Sequence, residues 1–219
     1  MRPRIIPATL TAAAAALALA PLPAETLDRI AVTVGKTVIS ESAILRDLRV
    51  SAFLDAKPID LSPSAKRKAA ARLVDQILIL QEAADSHVTL SVDDDVNKAL
   101  EQVKKQLGAP AEYQAELARY GIAEKDVVAQ LADGFRTLRF SDLRFRPEVQ
   151  ITEQELRANY DQLAAGLRSR NPQLVPSFES SRDELEQLLI QQRTADALDR
   201  WLAMTRAETQ IIYRPEVVP

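Results

Sequence analysis

The chain has no cysteine, one histidine and five glycines in 219 residues. Without thiols there is no disulfide, no thiolate nucleophile, no cysteine ligand for a metal and no thioether-linked lipid. With His87 alone there is no second imidazole for a zinc site and no sequence-local partner for a catalytic triad. His87 falls where a long helix is expected to end. A cation suits the helix dipole there, and a plain surface role accounts for it. Charge of one sign is lacking too: 28 Lys and Arg stand against 31 Asp and Glu, a net of −3. That balance gives no basic footprint for nucleic acid.

Scarce glycine draws attention to Gly35-Lys36-Thr37, the tail of a phosphate-binding loop. Such a loop needs another glycine five positions earlier, and that position is Ile30. It also needs a helix opening at the Lys-Thr pair, so that backbone N–H groups point at phosphate. Here Thr37-Val38-Ile39 continues as a β-favouring run. Nucleotide binding is not expected. Asp93-Asp94-Asp95 likewise lacks the glycine and the twelfth-position Glu of a calcium loop, and acids in a first helical turn need no ligand. No cofactor and no metal are expected.

Long apolar runs are missing except near the start. Arg2 and Arg4 precede an uncharged stretch, Ile5 to Ala20, followed by small residues at Ala18, Ala20 and Ala24. That order of charge, apolar run and small residues is the layout of a secretory signal peptide. The run is shorter than the ~20 residues a bilayer span needs. Pro21 follows Ala20, so a cut after Ala24 is favoured, with Ala20 the other candidate. Removing residues 1–24 takes away two Arg and no acid and moves the net charge from −3 to −5. The expectation is an exported, periplasmic protein without stable membrane insertion, residues 25–219 forming one domain held by packing alone.

What is abundant is helix formers, and punctuation marks the helices one by one. Ser40 caps a helix carrying Ile44, Leu45, Leu48 and Phe53. Lys57 to Leu61 forms a loop, and Ser62-Pro63 opens a long helix to about Ser86. Leu73, Val74, Ile77, Leu78, Ile79 and Leu80 nearly encircle it, which marks a central helix. Ser91 is expected to cap the next helix, with Val92, Val96, Ala99, Val103 and Leu107 on one face and Gly108 at its end. Pro110 starts a short helix that stops at Gly121, and another runs from about Ala123 to Leu143. Thr152 and Glu155 form a capping box. Residues 164–180, with Gly166, Pro172 and Pro176, read as a loop. Ser181 and Glu184 read as a second capping box for a helix to about Ala207.

Two places read as strand. Ile30, Val32 and Val34 alternate before the two-residue turn Gly35-Lys36, and Thr37 to Ser40 returns, a hairpin signal. Thr209 to Tyr213 is the other. A lone hairpin is marginal in water, so the C-terminal strand is expected to return to it, burying Ile211 and Tyr213. The fold class is therefore mainly α, with a small antiparallel sheet formed by an N-terminal hairpin and the C-terminal strand.

In this order the segments resemble a known family. "LDRIAVTVGKTVISESAILRDL" resembles the opening of the SurA-type periplasmic chaperones, the SurA N-terminal domain family. "AARLVDQILILQEA" resembles their central helix, and "YQAELARYGIAEKDVVAQLADGFRTLRF" their Leu-x-x-x-Gly-Ile helix pair. "VQITEQELRANYDQ" resembles the segment before their first parvulin-type prolyl isomerase domain, and "ELEQLLIQQRTADALDRWLAMTRAETQIIY" their closing helix and strand. In the family, parvulin domains usually stand between those last two segments. Here about Leu163 to Ser181 fills the gap, far too little for such a domain. The resemblance implies an ATP-independent chaperone body, without the isomerase, that binds unfolded or partly folded exported proteins. A folding factor related to the prolyl isomerases and a dedicated adaptor for one envelope partner are the other readings.

An exposed apolar surface would serve such binding, and the aromatic-bearing segments supply its candidates: Tyr113, Leu117, Tyr120, Phe135, Phe140 and Phe145. The same residues fit a plain core. "RTLRFSDLRFR" sets Arg136, Arg139, Arg144 and Arg146 around Phe140 and Phe145, either as a site for an acidic client or as a solvated helix face.

Overall fold

A computed structural model describes residues 28–168 and 175–218. The expected leader and cleavage site lie outside the described residues. β1 (Ile30–Val34) and β2 (Thr37–Ser40) form the hairpin. Gly35 turns it in the left-handed region at φ 55°, where a glycine carries no steric cost. α1 (Glu41–Leu54), α2 (Pro63–Asp85), α3 (Asp93–Leu107), α4 (Pro110–Tyr120) and α5 (Glu124–Arg144) follow. After a 3₁₀ turn (Arg146–Glu148) come α6 (Glu153–Arg168), α7 (Phe178–Glu208) and β3 (Ile211–Tyr213). The mainly helical class with a small antiparallel sheet is what the sequence predicts.

The sheet order is β2-β1-β3, both pairings antiparallel. Val32, Thr33 and Val34 face Tyr213, Ile212 and Ile211 across the second pairing. The C-terminal strand does return to the hairpin. Its side chains differ from expectation: Ile211 is half-buried and Tyr213 exposed, because the core of this end is filled from farther along. Val217 and Val218 are 3% and 5% exposed and join the main cluster. A register irregularity between Ile30 and Val32 also breaks the expected alternation. Ala31 and Val32 are both buried, while Ile30 is left 48% exposed.

Several local signals act as read. Ser40 Oγ accepts from the Ala43 N–H and Ser62 Oγ from the Ala65 N–H. Glu155 and Thr152 satisfy each other's backbone N–H groups. Two starts are corrected. The residue flanking α3 is Val92, whose apolar side chain is buried and makes no cap; Ser91 stays outside. α7 opens at Ser177, whose Oγ accepts from the Ser180 N–H, while Ser181 is buried inside the helix. The expected 164–180 loop is therefore shorter. α6 continues through Gly166 to Arg168, α7 starts at Phe178, and residues 169–174, with Pro172, lie outside the described residues.

α2 is central. Ala69, Ala70, Val74, Leu78 and Ile79 are closed to solvent, packed with the sheet, α1, α5 and α7, and only Leu80 of its apolar run is exposed. The first part of α7 packs with α6, and Leu156, Ala164, Ser181 and Leu185 of the two helices are buried. Its last turns return to α2, where Arg206 makes a two-pronged pair with Asp75.

Helices α1, α2 and α4 end alike. A residue one or two places past each carries a left-handed φ: Ala56 at 53°, His87 at 55° and Gly121 at 64°. In each, two N–H groups reach back to the last turn, as from Val88 to the Ala83 carbonyl. His87 thus occupies an exposed helix-terminal position, its Nδ1 beside the Asp85 carbonyl oxygen. Only glycine fits that backbone without strain. Ala56→Gly is expected to stabilise the protein by about 0.5–1 kcal/mol, read as a higher urea midpoint at unchanged slope. Truncation after Arg214 spares β3 and removes Val217 and Val218. It is expected to cost about 3 kcal/mol, and a midpoint equal to that of the full chain would refute their place in the core.

Candidate functional site

The six candidate residues do not form one surface. Tyr113, Leu117 and Tyr120 close a cluster with Phe53 and Val127, both tyrosines meeting the Phe53 ring edge-on at 6.2 and 5.7 Å. Tyr120 Oη donates to the Lys57 carbonyl at 2.9 Å and pins the loop after α1. Phe140 and Phe145 pack on Trp201 of α7 at 5.2 and 6.2 Å. These five are buried core residues and form no surface along which an extended chain could lie. Serine at any of them would read stability, at about 3–5 kcal/mol for an aromatic, rather than binding. Phe135 differs. It is half-buried beside Val92, Val96 and Ala132, and it lines a groove.

The basic segment is also accounted for by structure. Arg136 pairs with Asp133 at 2.9 Å, Arg139 with Asp95 at 3.3 Å, Arg144 with Glu148 at 3.5 Å and Arg146 with Asp142 at 3.8 Å. Each pair is exposed or partly so and weak, yet together they leave no bare cationic stripe. One member of the acidic triplet is committed in the same way, since Asp95 holds Arg139.

The groove that includes Phe135 runs between α1, α2 and α5. Its volume is about 500 Å³. Leu54, Leu131, Phe135 and Leu138 supply apolar walls, and Gly134 keeps the α5 wall low. The lining also contains Asp47, Ser51, Arg72, Gln76 and Gln130. Gln130 Nε2 donates to Ser51 Oγ at 2.8 Å, tying α5 to α1. Asp47, 6% exposed at its side chain, pairs with Arg72 and ties α1 to α2. A narrower extension shares Asp47, Gln76 and Gln130 and continues past Arg46, Asp126 and Asp133. On the other side of α5 a second groove, about 410 Å³, is lined by Leu138, Ile190, Ala195 and Leu198 among others. Leu138, 61% exposed, belongs to both. The sequence marks Leu138 as one more apolar α5 position, and nothing local says that it stays outside.

Burial pushes the Asp47 carboxyl above the usual carboxylate range, against the opposing pull of Arg72 and with a push from Asp133. Asp133 is raised as well, by burial first, with Arg136 opposing. The groove therefore holds carboxylates at an electrostatic cost that their arginines only partly offset. No family model and no curated protein matches the chain. Among the described residues no cluster of three metal-ligating side chains occurs, and no helix is long and apolar enough to cross a membrane.

A carboxyl raised in the folded state holds its proton more tightly there than in the unfolded chain. Its stabilising contribution is full below the unfolded value and is lost as pH rises through the folded one. Asp47→Asn is therefore expected to gain stability relative to the parent as pH goes from about 4 to about 7. Urea midpoints of both proteins across that range check it. A loss of stability relative to the parent as pH rises would mean that the Arg72 pair outweighs burial.

Proposed function

We propose that the chain is an exported, ATP-independent holdase that binds extended apolar segments of unfolded envelope proteins along the two grooves flanking α5. The observation that carries this is Leu138: a large aliphatic side chain left exposed on the ridge between two mostly apolar grooves. With the groove walls it borders, Leu138 makes the apolar surface contiguous, which is what a chaperone needs. The segment order that resembles the SurA-type body supports the same reading, as do the leader-like start and the broken phosphate-loop motif. Only residues 169–177 separate α6 from α7, where that family usually carries its isomerase, so binding rather than catalysis is proposed.

Shallow grooves without a deep anchor favour weak, fast-exchanging contacts. Release then needs no nucleotide, and protection follows from mass action: bound unfolded chain is withdrawn from aggregation. With the arginines of α5 already paired, apolar area is the main source of affinity.

The test is light scattering of a denatured outer-membrane β-barrel protein diluted into buffer. A several-fold excess of this protein should lower the scattering without ATP, and moderate salt should leave the protection in place, since screening weakens charge contacts. Phe135→Ser with Leu138→Ser should weaken protection while the far-ultraviolet helical signal stays. Scattering unchanged by the parent protein would end the holdase reading. Turnover of a proline peptide above the uncatalysed rate would move the function to a folding enzyme, and recovery of a single envelope protein in pull-downs would move it to an adaptor.

A further inference from the structure

Tyr113 carries a feature that core packing does not explain. The residue is 3% exposed, and its hydroxyl oxygen is buried with no hydrogen-bond partner. A buried hydroxyl left unpaired forfeits its hydration and gains nothing in return. Phenylalanine would fill the same place between Phe53 and the end of α3 without that loss. The phenol is pushed up to about 12, by desolvation first and then by the Glu124 carboxylate, so it stays a neutral donor. Glu124 is near enough to act on the phenol both through its charge and as a hydrogen-bond acceptor, yet no bond of ordinary geometry joins the two; its Oε1 is held by Lys104 at 3.2 Å.

Tyr113 also lines a cavity of about 330 Å³ at the junction of α3, α4 and the start of α5. The other lining residues are Lys104, Lys105, Gly108, Pro110, Gln114 and Glu124. Lys104 Nζ stands 5.6 Å from the Tyr113 ring centroid and, besides Glu124, approaches Glu101 at 3.8 Å. Lys105 has no ion-pair partner among the described residues. Gly108, at φ 92°, makes room at the mouth for the Glu112 carboxylate, which a Cβ there would run into and which accepts from the Ala109 N–H. The lining itself has two ammonium groups and the Glu124 carboxylate, with Glu112 beside Gly108 and Glu101 on the far side of Lys104, over a floor of aromatic ring, proline and lysine stems. The volume equals that of roughly ten waters, enough for a small organic acid.

We infer that this cavity binds a carboxylate carried on a short apolar body. The ligand carboxylate takes the place that Glu124 now holds on Lys104, accepts a hydrogen bond from Tyr113 Oη, and gains Lys105 as a second cation. Its apolar part lies against Pro110 and the tyrosine ring. Glu124 is the internal competitor, and its displacement makes affinity modest. This site lies apart from the grooves beside α5 and does not rest on the chaperone reading. The same chemistry is offered by a free short-chain acid and by the C-terminal carboxylate of a peptide.

The experiment is titration of the full chain, followed by amide chemical shifts, with hexanoate and with N-acetyl-leucine, each against its neutral amide. Shifts are expected at residues 104–114 and 124, with each acid at least about tenfold tighter than its amide, a difference of about 1.4 kcal/mol. Equal binding of the two acids assigns the site to chain termini; binding of hexanoate alone assigns it to free acids. Tyr113→Phe should weaken hexanoate several-fold while leaving the melting temperature equal or higher. Glu124→Gln should tighten it. Amides that bind as well as the acids, no shift with either acid at millimolar concentration, or a Tyr113→Phe protein that melts lower than the parent would each overturn the assignment.

Discussion

β1 needs hydrogen-bond partners on both edges, and the rest of the fold is arranged to supply them. Ala31, Val32 and Val34 are closed to solvent, so their backbone groups have no water to fall back on. β2 satisfies one edge through a two-residue turn. The other edge waits for residues 211–213, at the far end of the described chain. Loop-closure entropy grows only slowly with length, so a distant partner costs little more than a near one once the helices between have packed. Pairing also brings α7 back over α2, sets Arg206 on Asp75 and delivers Val217 and Val218 to the core. Chain closure and core completion are one event.

With α2 held against the sheet and α7, the position of α5 follows. Its final turns are clamped by Phe140 and Phe145 against Trp201, and its first turns by Val127 against Phe53 and Tyr120. Between those clamps α5 packs on α3 through Ala132 and Phe135, while its face toward α1 and α2 is only partly covered. Gly134 offers no side chain, and Leu138 is left 61% exposed. The two grooves are the space left on the faces of α5 that its packing on α3 and at its ends does not use. Hence they are shallow, and hydrogen-bonded pairs such as Gln130–Ser51, rather than packing, cross one of them.

Legibility followed the range of the interaction. The hairpin, the Ser40 and Ser62 caps, the Thr152–Glu155 box and the Pro110-to-Gly121 helix rest on contacts a few residues apart, and sequence alone placed them. Val92 took the cap position from Ser91 because a buried valine outweighs one hydroxyl hydrogen bond, and that burial depends on Ala132 and Phe135 of α5. Val217 and Val218 look like a loose tail until β3 is docked. The aromatic residues posed the hardest case. Tyr113, Phe135 and Phe140 have the same local character, and only tertiary packing separates core from groove wall. Leu138, which borders both grooves, had no distinguishing signal at all.

Charge makes the division sharper. Arginines that read as a basic patch are spent within the protein, on Asp133, Asp95, Glu148 and Asp142, so the segment that looked most like a binding arm is the outer face of a clamped helix. The buried Asp47 shows the opposite case, a charge that costs stability where it sits. Its pair with Arg72 fixes α1 to α2 across the polar floor of the groove and keeps aliphatic side chains from filling that floor. A leucine at either position would add apolar burial at the expense of the groove. The sequence keeps the more costly arrangement, and the space beside α5 stays open.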